Sequence, residues 1–111
     1  MKTIEQIQRE QFEWSRRNFG DKPSWQPLMG VVEELGELAH AHLKQHQGIR
    51  TNEDHTLNAR DAIGDIVIYL MDYCNLHGWD LETITDEVWE KVSKRDWKKN
   101  AEDGTIQLPI L

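Results

Sequence analysis

The sequence predicts an all-α fold, an antiparallel four-helix-bundle-like subunit. Three observations carry this. Apolar residues recur at three- and four-residue spacing along successive stretches. Cap and turn signals punctuate those stretches, at Thr3, at 20–24, at Gly48 and at Gly78. The composition, 38% hydrophobic and 30% charged, suits a helix-rich protein.

The chain has 111 residues, enough for one domain with a modest core. The expected organisation is a single domain over 1–111, with a core of about 3–99 and a C-terminal tail over 100–111. No run of 18 apolar residues exists, so no membrane span is expected. The opening Met1-Lys2-Thr3-Ile4-Glu5-Gln6 lacks the apolar region of a signal peptide, and the expected location is cytoplasmic. Cys74 stands alone, which excludes an internal disulfide framework and a cysteine-based zinc site. The net charge of −7 argues against non-specific binding to nucleic acid. Five tryptophans offer core, interface or a stacking surface for a base.

The first helix is expected over 3–18. Thr3 with Gln6 has the form of a capping box, and Ile4, Ile7, Gln11 and Trp14 recur as one buried face. The stretch Phe19-Gly20-Asp21-Lys22-Pro23-Ser24 ends it in a turn. Trp14 and Phe19 flank that turn, either as simple packing or as a base-stacking wall. The second helix starts near Ser24 to Pro27 and runs to about Gln45, with Gly48 as its stop and a polar loop to Thr56. Within it lies Val32-Glu33-Glu34-Leu35-Gly36-Glu37-Leu38. At ~100° per residue, Glu33, Glu34 and Glu37 share an arc of roughly 100°. No Lys or Arg lies one turn away to offset their repulsion, and a divalent cation would do so. A solvated acidic face is the alternative, with Leu28, Val31, Leu35, Leu38 and Ala39 as the apolar stripe roughly opposite.

The third helix is expected over 55–77, capped by Asp54 or Thr56. Leu57, Ile63, Ile66, Val67, Leu70, Met71 and Cys74 cover most of its circumference, so it should be the most buried. Yet Asp61, Asp65 and Asp72 form a stripe about 40° wide. Buried carboxylates are costly unless paired or bound to metal. Asn58 and Tyr69 sit beside the stripe. His77-Gly78 closes the helix, and Asp80 caps a fourth over about 81–98 with Ile84, Val88 and Val92 as its stripe. Arg95 would continue that stripe inward, with Lys91, Lys94, Lys98 and Lys99 around it. This basic concentration reads either as cations placed at a helix C-terminus or as a phosphate-binding end built on Lys91, Lys94 and Arg95. The tail carries Ile106, Leu108, Pro109, Ile110 and Leu111 and is too short to fold alone.

Two helices each offering a carboxylate face make an oxygen-rich site for Mg²⁺ or Mn²⁺, ions usually shared with substrate phosphates. With a basic cluster nearby, the combination points to metal-assisted hydrolysis of a phosphoanhydride. Glu33-Glu34-Leu35-Gly36-Glu37-Leu38, followed by Asp61-Ala62-Ile63-Gly64-Asp65-Ile66-Val67-Ile68-Tyr69-Leu70, resembles the MazG-like all-α nucleoside triphosphate pyrophosphohydrolases. Their pattern is EExxE, a spacer, then ExxD and an apolar run. The resemblance covers about residues 10–99, and Lys91-Val92-Ser93-Lys94-Arg95 resembles the family's basic segment. It implies Glu34, Glu37 and Asp65 as metal ligands, with Glu33 beside them. The ExxD glutamate falls on Ala62; Asp61, one turn before Asp65 on the same face, is added to the metal set from geometry. The resemblance further implies cleavage between the α- and β-phosphates to a nucleoside monophosphate and pyrophosphate. It implies subunits oligomerising through their helices into a homodimer or homotetramer, with the site near a subunit interface, and an excess of apolar faces on four helices is compatible with that. Glu33 or Glu34 would orient or deprotonate the attacking water.

Two other classes remain in view. Glu37-Leu38-Ala39-His40 has the Glu-x-x-His form of di-iron carboxylate bundles, but the third helix supplies no second copy. A non-catalytic helical interaction module would leave the acids as a solvated face.

Overall fold

The computed structural model describes residues 1–106. It holds four helices: α1 (Ile4–Phe19), α2 (Trp25–Gln47), α3 (His55–His77) and α4 (Leu81–Val92). No strand occurs among the described residues, so the all-α class holds. Leu108, Pro109, Ile110 and Leu111 of the expected tail lie outside the described residues. Met1–Leu81 forms one compact unit, and the chain from Glu82 onward forms a second.

In the first unit the local signals act as their chemistry requires. Thr3 and Gln6 close a reciprocal capping box, with Gln6 N–H donating to Thr3 Oγ1 at 3.1 Å and Thr3 N–H to Gln6 Oε1 at 2.8 Å. Asp54, not Thr56, caps α3, accepting from Leu57 N–H at 3.0 Å. Gly48 and Gly78 take left-handed backbone at φ 68° and 71°, and their N–H groups return to carbonyls of the last turn. α2 runs two residues past the expected Gln45 before Gly48 stops it.

Both α1 and α2 pack on α3. The α2 line that is buried or half-buried runs Pro27, Val31, Glu34, Leu38 and Ala41; the matching line on α3 runs Ala59, Ala62, Ile66, Tyr69 and Tyr73. Alternating steps of four and three give a period near 3.5, the pattern of a coiled pair. Glu34 therefore lies within the buried line. This corrects the expectation that the apolar stripe stands opposite the carboxylates: Leu28 and Leu35 are exposed instead. Gly30 sets the closeness of the pair, because the Tyr69 ring lies flat against it. A Cβ there would sit 2.5 Å from the ring.

Two further expectations are corrected. Of the expected α1 face Gln11 is buried and Ile7 half-buried, but Ile4 and Trp14 are exposed, and Gln8 and Ser15 complete the buried line instead. The cause is that α1 docks on α3 through amide hydrogen bonds rather than an apolar seam, so apolar periodicity pointed to the wrong azimuth. The aspartate stripe of α3 is also not buried as a whole. Asp61 and Asp65 are exposed and only Asp72 is buried. The hydrogen bonds of Gln8 and Gln11 reach α3 at Asn75 and continue to Trp79 just beyond its end, toward the C-terminal half of the helix, while α2 is the main helical partner of α3. Leu57 and Ile63, in the first half of α3, stay exposed.

In the second unit α4 ends at Val92, six residues before the expected 98. Ser93 and Asp96 compete with the helical backbone. The Asp96 carboxylate accepts from Lys98 N–H at 3.0 Å and Lys99 N–H at 3.1 Å, and Asp96 N–H donates to the Gly104 carbonyl at 2.7 Å. Arg95 lies in this turn and is exposed. It does not continue the Val88–Val92 line, and the azimuth argument for an inward guanidinium fails because the helix has already ended.

Candidate functional site

Glu33, Glu34 and Glu37 leave α2 within one turn, and the Gly30–Tyr69 register carries Glu34 to Asp65 of α3. The electrostatics register that meeting. Burial first, then Asp65, Glu33 and Glu37, push the Glu34 carboxyl above its ordinary range. The carboxylate motifs of α2 and α3 thus lie on the same side of the unit. Asp61 stands exposed one turn before Asp65. Ala62, where the ExxD pattern has glutamate, is buried at 2% exposure in the α2–α3 seam. Among the described residues, no three His, Cys, Asp or Glu side chains are gathered closely enough to hold a metal ion. The donor set is all carboxylate, the chemistry that hard cations take.

Beside this cluster is a cavity of about 400 Å³ lined by Gln11, Trp14, Phe19, Lys22, Gln26, Pro27, Asp65, Ile68, Tyr69 and Asp72. Asp65 belongs to both. Trp14 and Phe19 meet edge to face at 5.7 Å and form an aromatic wall. Tyr69 stands between cluster and cavity. Its phenol is pushed up by burial first, then by Glu33, Glu34, Asp65 and Asp72. It therefore keeps its proton and is a hydrogen-bond donor amid carboxylates.

The inner wall of the cavity is a buried ion pair. Lys22 Nζ lies 2.6 Å from Asp72 Oδ2, with side-chain exposures of 11% and 8%. Lys22 Nζ also donates to Ser15 Oγ and lies 5.2 Å from the centre of the Phe19 ring. Next along the α1–α3 seam is an amide relay. Gln8 Nε2 donates to Asn75 Oδ1 at 2.8 Å and to the Trp79 carbonyl at 2.9 Å. Asn75 Nδ2 donates to Gln11 Oε1 at 2.8 Å.

Sequence reading named Trp14, Phe19 and Asp65, and the cavity brings them together. It missed Lys22, Gln11 and Tyr69 as site residues. A usable signal existed for Lys22: Asp72 was expected to be buried, and a buried carboxylate requires a partner. Lys91, Lys94 and Arg95 belong to the second unit. There Lys94 pairs with Glu90 at 2.7 Å, and Arg95 lies near Asp103, whose carboxyl is held below its ordinary range chiefly by hydrogen bonds from Thr105. No family model matches the chain, and no curated protein or solved structure matches it.

Proposed function

We propose that the chain is a Mg²⁺-dependent, MazG-like nucleoside triphosphate pyrophosphohydrolase. It hydrolyses the α–β phosphoanhydride of ribo- or deoxyribonucleoside triphosphates, including non-standard ones, to a monophosphate and pyrophosphate. The observation that carries the reading is the double membership of Asp65: one carboxylate lines an aromatic-walled cavity and also faces the EExxE glutamates. A base seated against Trp14 and Phe19 would leave its phosphates directed at the carboxylates.

Glu34, Glu37 and Asp65, with Asp61 beside them, would hold the cation. Bound there, Mg²⁺ or Mn²⁺ supplies charge neutralisation for the phosphate oxygens. The exposed Glu37 and Asp65 side chains are free to change rotamer and come together on it. Glu34 is fitted to take a proton from water, since its raised carboxyl brings it nearer the working pH of a general base. Glu33, next to it, is the other candidate for orienting that water. The Tyr69 hydroxyl, held protonated, would donate to a phosphate oxygen. Lys91, Lys94 and Arg95 stand as the phosphate-binding residues of this reading.

The same reading includes a homodimer or homotetramer. Leu28, Val32 and Leu35 remain exposed on α2 at coiled-coil spacing, beside the line that packs on α3. A second copy covering that stripe would complete an antiparallel helical bundle around the site.

The test follows pyrophosphate release from a panel of nucleoside triphosphates with Mg²⁺. Glu37→Gln and Asp65→Asn should each lower turnover by about 100-fold or more while helical circular dichroism is kept. Full turnover in both variants, or no pyrophosphate from any triphosphate with the wild-type chain, rules the proposal out.

A further inference from the structure

We infer that Gln11 is a specificity-determining residue, holding its carboxamide NH₂ group into the cavity as a fixed donor that reads an acceptor atom of a nucleobase. The inference rests on the nucleotide reading above for the kind of ligand, and on the hydrogen-bond relay for the direction of the amide.

A carboxamide has a donor end and an acceptor end, and hydrogen-bond partners decide which way it faces. Here the backbone decides. The Leu81 N–H can only donate, and it meets Gln8 Oε1 at 2.9 Å. The Trp79 carbonyl can only accept, and it meets Gln8 Nε2 at 2.9 Å. With both ends of Gln8 assigned, its Nε2 also gives to Asn75 Oδ1. Asn75 must then present Nδ2 in the other direction, where it donates to the Gln8 carbonyl at 3.2 Å and to Gln11 Oε1 at 2.8 Å. The oxygen of Gln11 is thereby engaged, and its NH₂ faces the cavity that Gln11 lines.

Gln11 is only 7% exposed, and no described residue accepts from its Nε2. That donor is open to the cavity rather than enclosed in the protein, so a ligand atom that accepts can reach it. On the α3 side of the same cavity stands the Asp72 carboxylate, an acceptor held by Lys22. The wall therefore offers a donor near an acceptor, next to aromatic rings. A flat heteroaromatic ring with a carbonyl or ring-nitrogen acceptor near an N–H fits that arrangement, which is the chemistry of a nucleobase edge.

Binding of the four nucleoside monophosphates, followed by tryptophan fluorescence in metal-free buffer, tests this apart from turnover. Wild-type protein should prefer one base, and Gln11→Ala should reduce the ratio between best and worst dissociation constants about 10-fold. Gln11→Glu keeps the shape but offers only acceptors, so it should change which base is preferred. Asn75→Asp does not touch the ligand. It removes the donor that holds Gln11 Oε1, lets the amide turn over, and should shift preference in the same direction as Gln11→Glu. If Asn75→Asp loses its helical signal, the two Gln11 variants decide alone. Equal binding of all four bases by wild type, or an equal loss for every base in Gln11→Ala, overturns the inference. Base-selective binding without any triphosphate hydrolysis would instead uphold Gln11 and remove the catalytic reading.

Discussion

Replacing Lys22 with Met should lower the stability of the fold by about 3 kcal/mol, at the lower end of the 3–5 kcal/mol typical of breaking a buried pair. The distance alone does not give this figure. Lys2 and Glu10 are also 2.8 Å apart, yet their side chains are 61% and 57% exposed. A pair of that kind is worth about 1 kcal/mol or less. Lys22 and Asp72 are 11% and 8% exposed, so removing the ammonium leaves a buried carboxylate with its cation gone. Ser15 Oγ, now beside Lys22 Nζ, can turn its hydroxyl toward Asp72 and recover part of the loss. Loss of the cation over Phe19 adds about 0.5–1 kcal/mol. In urea, the expected change is a fall in midpoint of about 1–3 M with unchanged slope. Lys2→Met in the same assay should move the midpoint little. The double variant Lys22→Met with Asp72→Asn should regain most of the stability, since no lone charge remains. A Lys22→Met loss no larger than that of Lys2→Met would refute the reasoning, because burial would then not govern the strength of the pair.

Two further outcomes follow from the α2–α3 seam. Gly30→Ala should destabilise by up to about 2 kcal/mol in denaturant titration, since overpacking of about 1–3 kcal/mol offsets or exceeds the gain in helix propensity of about 1 kcal/mol; a stabilised variant would show that the Tyr69 ring moves away freely. Glu34 has a folded-state carboxyl raised above 4.5, so the folded chain takes up this proton before the unfolded chain does. Its contribution to metal-free stability is therefore greatest in acid and is lost as pH rises from about 4.5 through the raised value. Glu34→Gln should make the metal-free protein more stable than wild type near neutral pH, by a few tenths of a kcal/mol for each like-charged neighbour among Asp65, Glu33 and Glu37. That advantage should vanish in thermal melts near pH 4, and an advantage constant across pH would exclude the charge explanation.

The legible parts of the fold are those governed by local chemistry. Thr3 with Gln6, Asp54, Gly48 and Gly78 act over three or four residues, and each marks a helix end in the structure. The end of α4 was misread because Val88, Val92 and Arg95 continue a helical spacing, while the polar groups of Ser93 and Asp96 offer the backbone other partners. On the inner face of α1 Gln11 was legible, but Gln8 and Ser15 carry no apolar period; their burial depends on Asn75 and on Lys22 held by Asp72, and both of those α3 residues lie more than fifty positions away. The same contrast holds at the site. Carboxylates on α2 and α3 are visible as spacing within each helix, and the structure brings Glu34 and Asp65 together. Lys22 lies in a turn and Gln11 on a helix face, and neither acquires meaning until α1 meets α3.

That long reach has a consequence for how the chain is made. α2 and α3 are joined by a short loop, so the hairpin they form needs only contacts close in sequence and can close early. α1 is synthesised first, yet its partners Asn75, Trp79 and Leu81 are added some seventy residues later. At about 5–20 residues per second the helix waits several seconds on the ribosome without them. A greasy inner face would be a hazard during that wait, open to chaperones or to neighbouring nascent chains. Gln8, Gln11 and Ser15 are content in water until α3 arrives. The polar seam that orients the cavity wall thus also lets the first-made helix wait in water until α3 is complete.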